Sequence, residues 1–199
     1  MKYRRRALAI GGLVGPAAFV GGWLLAGATS SHYSPVNSAI SDLAAVGASS
    51  RVTMTVGFVG FGLGVIAFGF ALRDALDGHA GIAAIATGGC TIAVAATPLG
   101  GWSGDAVHAT FAGSGYVTIV AMQLLAARAL ARSDRANLAR ASVVTGAISA
   151  ACLAASTLGP AHGLWQRLGL TTGDVWIVSA ATAILCTPAI NRAPAMHRV

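Results

Sequence analysis

The sequence predicts an all-α fold: a polytopic transmembrane helical bundle of six spans with both termini in the cytoplasm. Three observations predict it. Of 199 residues, 55% are hydrophobic and 10% are charged, where a soluble domain carries about 25% charged residues. The apolar residues fall into six runs, each near the roughly 20 residues that a helix needs to cross hydrocarbon. Lys and Arg gather at alternate ends of those runs.

The runs are approximately 8–28, 52–72, 81–99, 108–127, 141–158 and 172–190, and the chain reads as one integral-membrane domain over 1–199. None alternates apolar and polar residues as a barrel strand would. Helices are the other way to satisfy a backbone in hydrocarbon. The first run opens on Arg4-Arg5-Arg6 and ends on Ala26-Gly27-Ala28, like a secretory leader. Its apolar stretch is about 20 residues rather than the usual 7–15. It is read as a retained span, with a cleaved leader as the alternative.

Six crossings divide the cations unequally. One side holds Lys2, Arg4, Arg5, Arg6, Arg73, Arg128, Arg132, Arg135, Arg140, Arg192 and Arg198; the other holds Arg51 and Arg167. The first side is therefore expected to be cytoplasmic. The net charge of +7 is a topological signal. No basic cluster interleaves with aromatics, so no nucleic-acid partner is expected. Cys90, Cys152 and Cys186 sit within apolar runs and lack any Cys/His spacing for zinc, so neither a metal nor another cofactor is expected. Gly57, Gly60, Gly62 and Gly64 line the second run, and Gly11 and Gly15 the first. Small residues at such spacing favour close packing within the bundle over a dimer face. The span centres carry almost no ionisable side chains, which argues against coupled transport.

The outer side carries the candidate chemistry. In the first outer loop, Ser34-Pro35 reads as a helix start and Gly47 as its stop. Val36, Ala39, Ile40 and Leu43 would share one face of a short amphipathic helix lying at the interface. Ser38, Ser41 and Asp42 form a compact polar patch on the other. Asp105 and His108, at i and i+3, open the fourth span. There a carboxylate either orients a general base or simply complements the helix N-terminus. Trp102, Trp165 and Trp176 are placed near the outer interface, as tryptophan commonly is. Arg167, a cation on the wrong side of the count, either pairs with Asp42, Asp105 or Asp174 or meets an anionic headgroup.

Ser38-Ala39-Ile40-Ser41-Asp42-Leu43 after Tyr33-Ser34-Pro35, then Asp105 and His108, then Gly163-Leu164-Trp165-Gln166-Arg167-Leu168, carry a family resemblance. Over nearly its whole length the chain resembles the domain of unknown function 998 family of bacterial and archaeal membrane proteins. The family's last motif usually has glutamate where this chain has Gln166, which removes a carboxylate from any two-acid mechanism there. The resemblance implies the membrane fold and supplies no reaction.

The expected protein sits in the cell membrane and binds a membrane lipid or other amphiphilic small molecule in an outer pocket. Ser38, Ser41, Trp102, Trp165, Gln166, Arg167 and Trp176 are the candidate binding residues. The alternative is an enzyme at the same pocket with Asp105, His108 and Asp42 as its catalytic groups. It would act either as a Ser/His/Asp lipid hydrolase or as an acid-initiated prenyl or terpene cyclase. A structural or assembly partner without chemistry is the remaining class. Asp105 and His108 are expected to face one cavity with Ser41 or Asp42.

Overall fold

The computed structural model describes residues 2–76 and 78–186. Its elements are α1 (Lys2–Ala9), α2 (Gly11–Ala28), a 3-10 helix (Ile40–Ala44), α3 (Arg51–Ala75), α4 (His79–Ala96), α5 (Asp105–Arg132), α6 (Ala136–Leu158) and α7 (His162–Cys186). A one-residue break at Ile10 separates α1 from α2, and together they make one crossing, Tyr3–Ala28. With α3 to α7 this gives, among the described residues, six helices long and apolar enough to cross a membrane. The protein is a multi-pass membrane protein.

Each helix packs on its sequence neighbours, and α7 returns against α2, so the spans form a closed ring. Short connections force neighbours to run antiparallel. The start of α1, the α3–α4 and α5–α6 turns and the end of α7 therefore share one end of the bundle. Arg4, Arg5, Arg6, Arg73, Arg128, Arg132, Arg135 and Arg140 lie at or near it. The long loop 29–50 and the α4–α5 and α6–α7 connections occupy the opposite, long-loop end. Arg192, Arg198 and the expected span residues 187–190 lie outside the described residues.

Glycine sets the spacing of the ring. A Cβ on Gly64 would stand 2.7 Å from the Gly11 oxygen and the Gly15 Cα, so α2 and α3 meet backbone to backbone. On the other side of α3, a Cβ on Gly88 or Gly81 would stand 2.5 Å from the oxygen of Gly62 or Gly69 respectively. Gly57 faces Gly22, and Gly60 faces Ala18. All five glycines of the second run are thus used inside the bundle, where close approach replaces the absent hydrophobic driving force. Phe61, Val65 and Phe68 of α3, Ile119 and Met122 of α5, and Ile177 and Ala181 of α7 fill the interior.

Two expectations need correction. The first-loop segment is not one amphipathic α-helix from Ser34 to Gly47. Ser34 accepts bonds from the Asn37 and Ser38 amides (3.1 and 2.7 Å to its carbonyl), making a turn. Ala39 is then extended (φ −65°, ψ 155°), and Asp42 Oδ2 accepts the Ala39 N–H at 2.9 Å to start the five-residue 3-10 helix. Short polar side chains compete with the helical ladder in this way. Of the expected apolar face, Ile40 and Leu43 are buried, with Ala44 and Ser41 beside them, while Val36 is exposed.

The sixth span begins ten residues earlier than hydropathy suggests, at His162 rather than 172. Gln166 and Arg167 lower the local hydropathy, yet both lie inside the helix, with the Gln166 amide and both Arg167 Nη groups bonded. The shift carries Asp174 and Trp176 from the expected outer mouth to the middle and inner half of α7.

Candidate functional site

The long-loop end is built around the first two turns of α7. Arg167 is 7% exposed. Its Nη1 donates to the carbonyls of Pro35 (2.7 Å), Gly163 (2.8 Å) and Ser38 (3.1 Å), and its Nη2 donates to the Tyr33 phenol. The phenol in turn donates to the Ala39 carbonyl at 3.0 Å. The guanidinium carbon lies 5.3 Å from the ring centroids of both Trp23 and Tyr33, within cation–π range. The Leu164 amide donates to Val36 O at 3.0 Å. Gly163 is required here, because a side chain would run into the Ser38 carbonyl oxygen. Arg167 pairs with none of Asp42, Asp105 or Asp174. It clamps the loop onto the bundle through backbone oxygens.

Gln166 faces the bundle interior. Its Oε1 accepts the Ile40 amide at 2.8 Å, which fixes the orientation of the side-chain amide, so Nε2 donates to the Tyr116 phenol on α5. The pair closes the loop end of a cavity of about 50 Å3, room for a few waters. Phe19, Phe58, Phe61 and Phe111 supply its aromatic wall, and Ser41, Thr87 and Thr91 its remaining polar groups. No charged side chain lines it.

The proposed acid–base residues are not gathered at this cavity. Asp42 is exposed and holds the start of the 3-10 helix. Asp105 is exposed and accepts the Gly100 N–H at 2.7 Å, stapling the α4–α5 turn. His108 is buried, with Nδ1 2.7 Å from the Thr97 carbonyl oxygen, so Nδ1 carries the proton and Nε2 has no partner. No hydrogen bond joins Asp105 to His108, and neither lines the cavity with Ser41. Each is engaged instead by the α4–α5 connection, Asp105 at Gly100 and His108 at Thr97.

The other candidates divide. Ser38 sits beneath the clamp, its carbonyl on Arg167 and its hydroxyl accepting the Ser34 amide at 3.3 Å. Trp102 is 86% exposed and Trp165 is 39% exposed, at the end of the bundle where interfacial tryptophans belong. Trp176 does not join them. It is buried, and Nε1 donates to Ser142 Oγ of α6 at 2.9 Å. Two placements were not expected. Tyr116 completes the cavity's polar end from mid-span. Asp174 is 3% exposed with neither carboxylate oxygen bonded. The unbroken spacing of Gly163, Arg167, Leu170, Asp174, Ile177 and Ala181 along one helical face was the signal for both the longer helix and its buried acid.

The family described as "Protein of unknown function (DUF998)" matches residues 13–183, from α2 nearly to the end of α7. The chain belongs to the DUF998 family. Neither the curated proteins nor the solved structures gave a match. The matched region of this DUF998 protein holds the clamp, the cavity and the greater part of each span.

Proposed function

We propose that this DUF998 protein resides in the cell membrane with its arginine-rich end in the cytoplasm, and binds a lipid or other amphiphile in the Phe-lined cavity beneath the first loop. Charge supports the orientation. Of the two cations at the long-loop end, Arg167 is consumed by the clamp, leaving Arg51 against the eight arginines at the other end. The cavity supports the binding. It combines an aromatic wall with a few polar groups at one end, the usual character of a small-molecule site. Its present volume fits a few waters, so a ligand enters by displacing the Phe and Leu side chains that narrow it.

The enzymatic readings draw less support. A hydrolase would need His108 beside Ser41, and a cyclase would need Asp42 or Asp105 in the aromatic chamber; the fold directs each elsewhere. Lipid analysis of protein purified in mild detergent tests the binding reading. One lipid class should be retained above its membrane abundance, and Ala112→Phe, which fills the cavity, should release it. Unselective carry-over in both proteins would reject the reading.

A further inference from the structure

We propose that the group bound in this cavity is uncharged and presents a hydrogen-bond-accepting oxygen, such as a ketone, ester or quinone carbonyl, to Ser41 and Tyr116. This rests on the binding reading above and specifies its ligand. The first observation is the wall: no ionised group faces the cavity to pair with a charge. A buried charge without such a partner is strongly disfavoured, so phosphate, carboxylate and ammonium groups do not belong inside.

The second observation is the hydrogen-bond inventory. Each threonine hydroxyl on the wall already has an acceptor within the protein: Thr87 has Ala83 O at 2.9 Å and Thr118 Oγ1 at 3.0 Å, and Thr91 has Thr87 O at 3.0 Å. The loop end differs. Ser41 is 8% exposed, lines the cavity, and makes no side-chain hydrogen bond. The Tyr116 phenol accepts from Gln166 and donates to nothing. The two side chains lie at the same end of one cavity, each with an uncommitted O–H. Both side chains line the cavity, and a ligand oxygen there would accept from both hydroxyls. The phenylalanines supply an apolar surround for the rest of the molecule.

Three probes of equal chain length separate the possibilities: methyl nonyl ketone, undecane and undecanoate. Each is titrated against thermal unfolding of the full-length protein in detergent, for wild type and Ser41→Ala. Ser41→Ala is the decisive variant because the hydroxyl holds no contact of the fold; Tyr116→Phe also removes a partner of Gln166 and serves as support. The ketone should stabilise wild type at a concentration about fivefold below undecane, and Ser41→Ala should bring the two within about twofold. Undecanoate should not stabilise either protein. Equal potency of undecane and ketone in wild type would overturn the proposal, as would preference for undecanoate. If none of the probes acts while a lipid still co-purifies, the oxygen-acceptor proposal fails and the binding reading stands. If no lipid is retained either, both fail.

Discussion

Arg167 reaches Tyr33 across 134 positions of sequence, and the guanidinium of one holds the phenol of the other beneath the first loop. The phenol passes the interaction on to the Ala39 carbonyl, just before the 3-10 helix that roofs the cavity. The loop is therefore positioned by α7.

Arg167→Lys should destabilise the protein by on the order of 3 kcal/mol. A lysine cannot reproduce the planar fork that serves three carbonyls and a phenol together. Chymotryptic cleavage within residues 29–50 should accelerate in the variant, since the loop loses its anchor. Wild-type cleavage rates would show that the contacts do not hold it.

Gly163→Ala should destabilise the protein and Gly89→Ala should not. The first pushes a methyl group into the Ser38 carbonyl and should cost about 2 kcal/mol. Nothing lies within 4 Å of the second, where alanine should be neutral or gain up to about 1 kcal/mol through helix propensity. Thermal unfolding of the two variants in one detergent makes the comparison.

Asp174→Leu should raise thermal stability, by roughly 1–3 kcal/mol, because it removes a buried carboxyl group with no bonding partner. A lower melting temperature in the variant would mean that the carboxyl is engaged.

Burial pushes the Tyr33 phenol above the usual tyrosine range; the Arg167 guanidinium opposes this and the Asp42 carboxylate reinforces it. Above about pH 10 the unfolded chain loses this proton while the folded protein keeps it. The unfolded state then binds fewer protons, so stability falls as pH rises. The stabilising contribution is complete below the unfolded value and disappears through the folded one. Ultraviolet titration of wild type minus Tyr33→Phe should show a phenol ionising above pH 10; a transition at or below 10 refutes the shift.

Sequence reasoning reached the spans through two properties that need no partner: apolar length and the placement of arginine. It also located the residues of the loop end, Ser41, Gln166 and Arg167, since polar groups beside hydrocarbon stand out wherever they point. It did not reach their partners. Asp105 and His108 share a helical face by spacing, but each finds a nearer backbone partner, Gly100 N–H and Thr97 O. Local competition of this kind depends on turn geometry that residue spacing does not specify. Trp176 was placed at the interface because hydropathy started its helix late.

The sequence by itself determined that the chain is a six-span helical membrane protein, which end of each span is cationic, and that its glycines pack helix on helix. Transfer free energy and charge asymmetry act residue by residue, so order along the chain is enough to read them. Tertiary structure alone decided that Arg167 meets carbonyls instead of a carboxylate. It also decided that Gln166 bridges Ile40 to Tyr116, and that Ser41 rather than His108 faces the cavity. Those are matters of which acceptor lies within about 3 Å of a donor, and only the folded ring brings residues over a hundred positions apart to that distance.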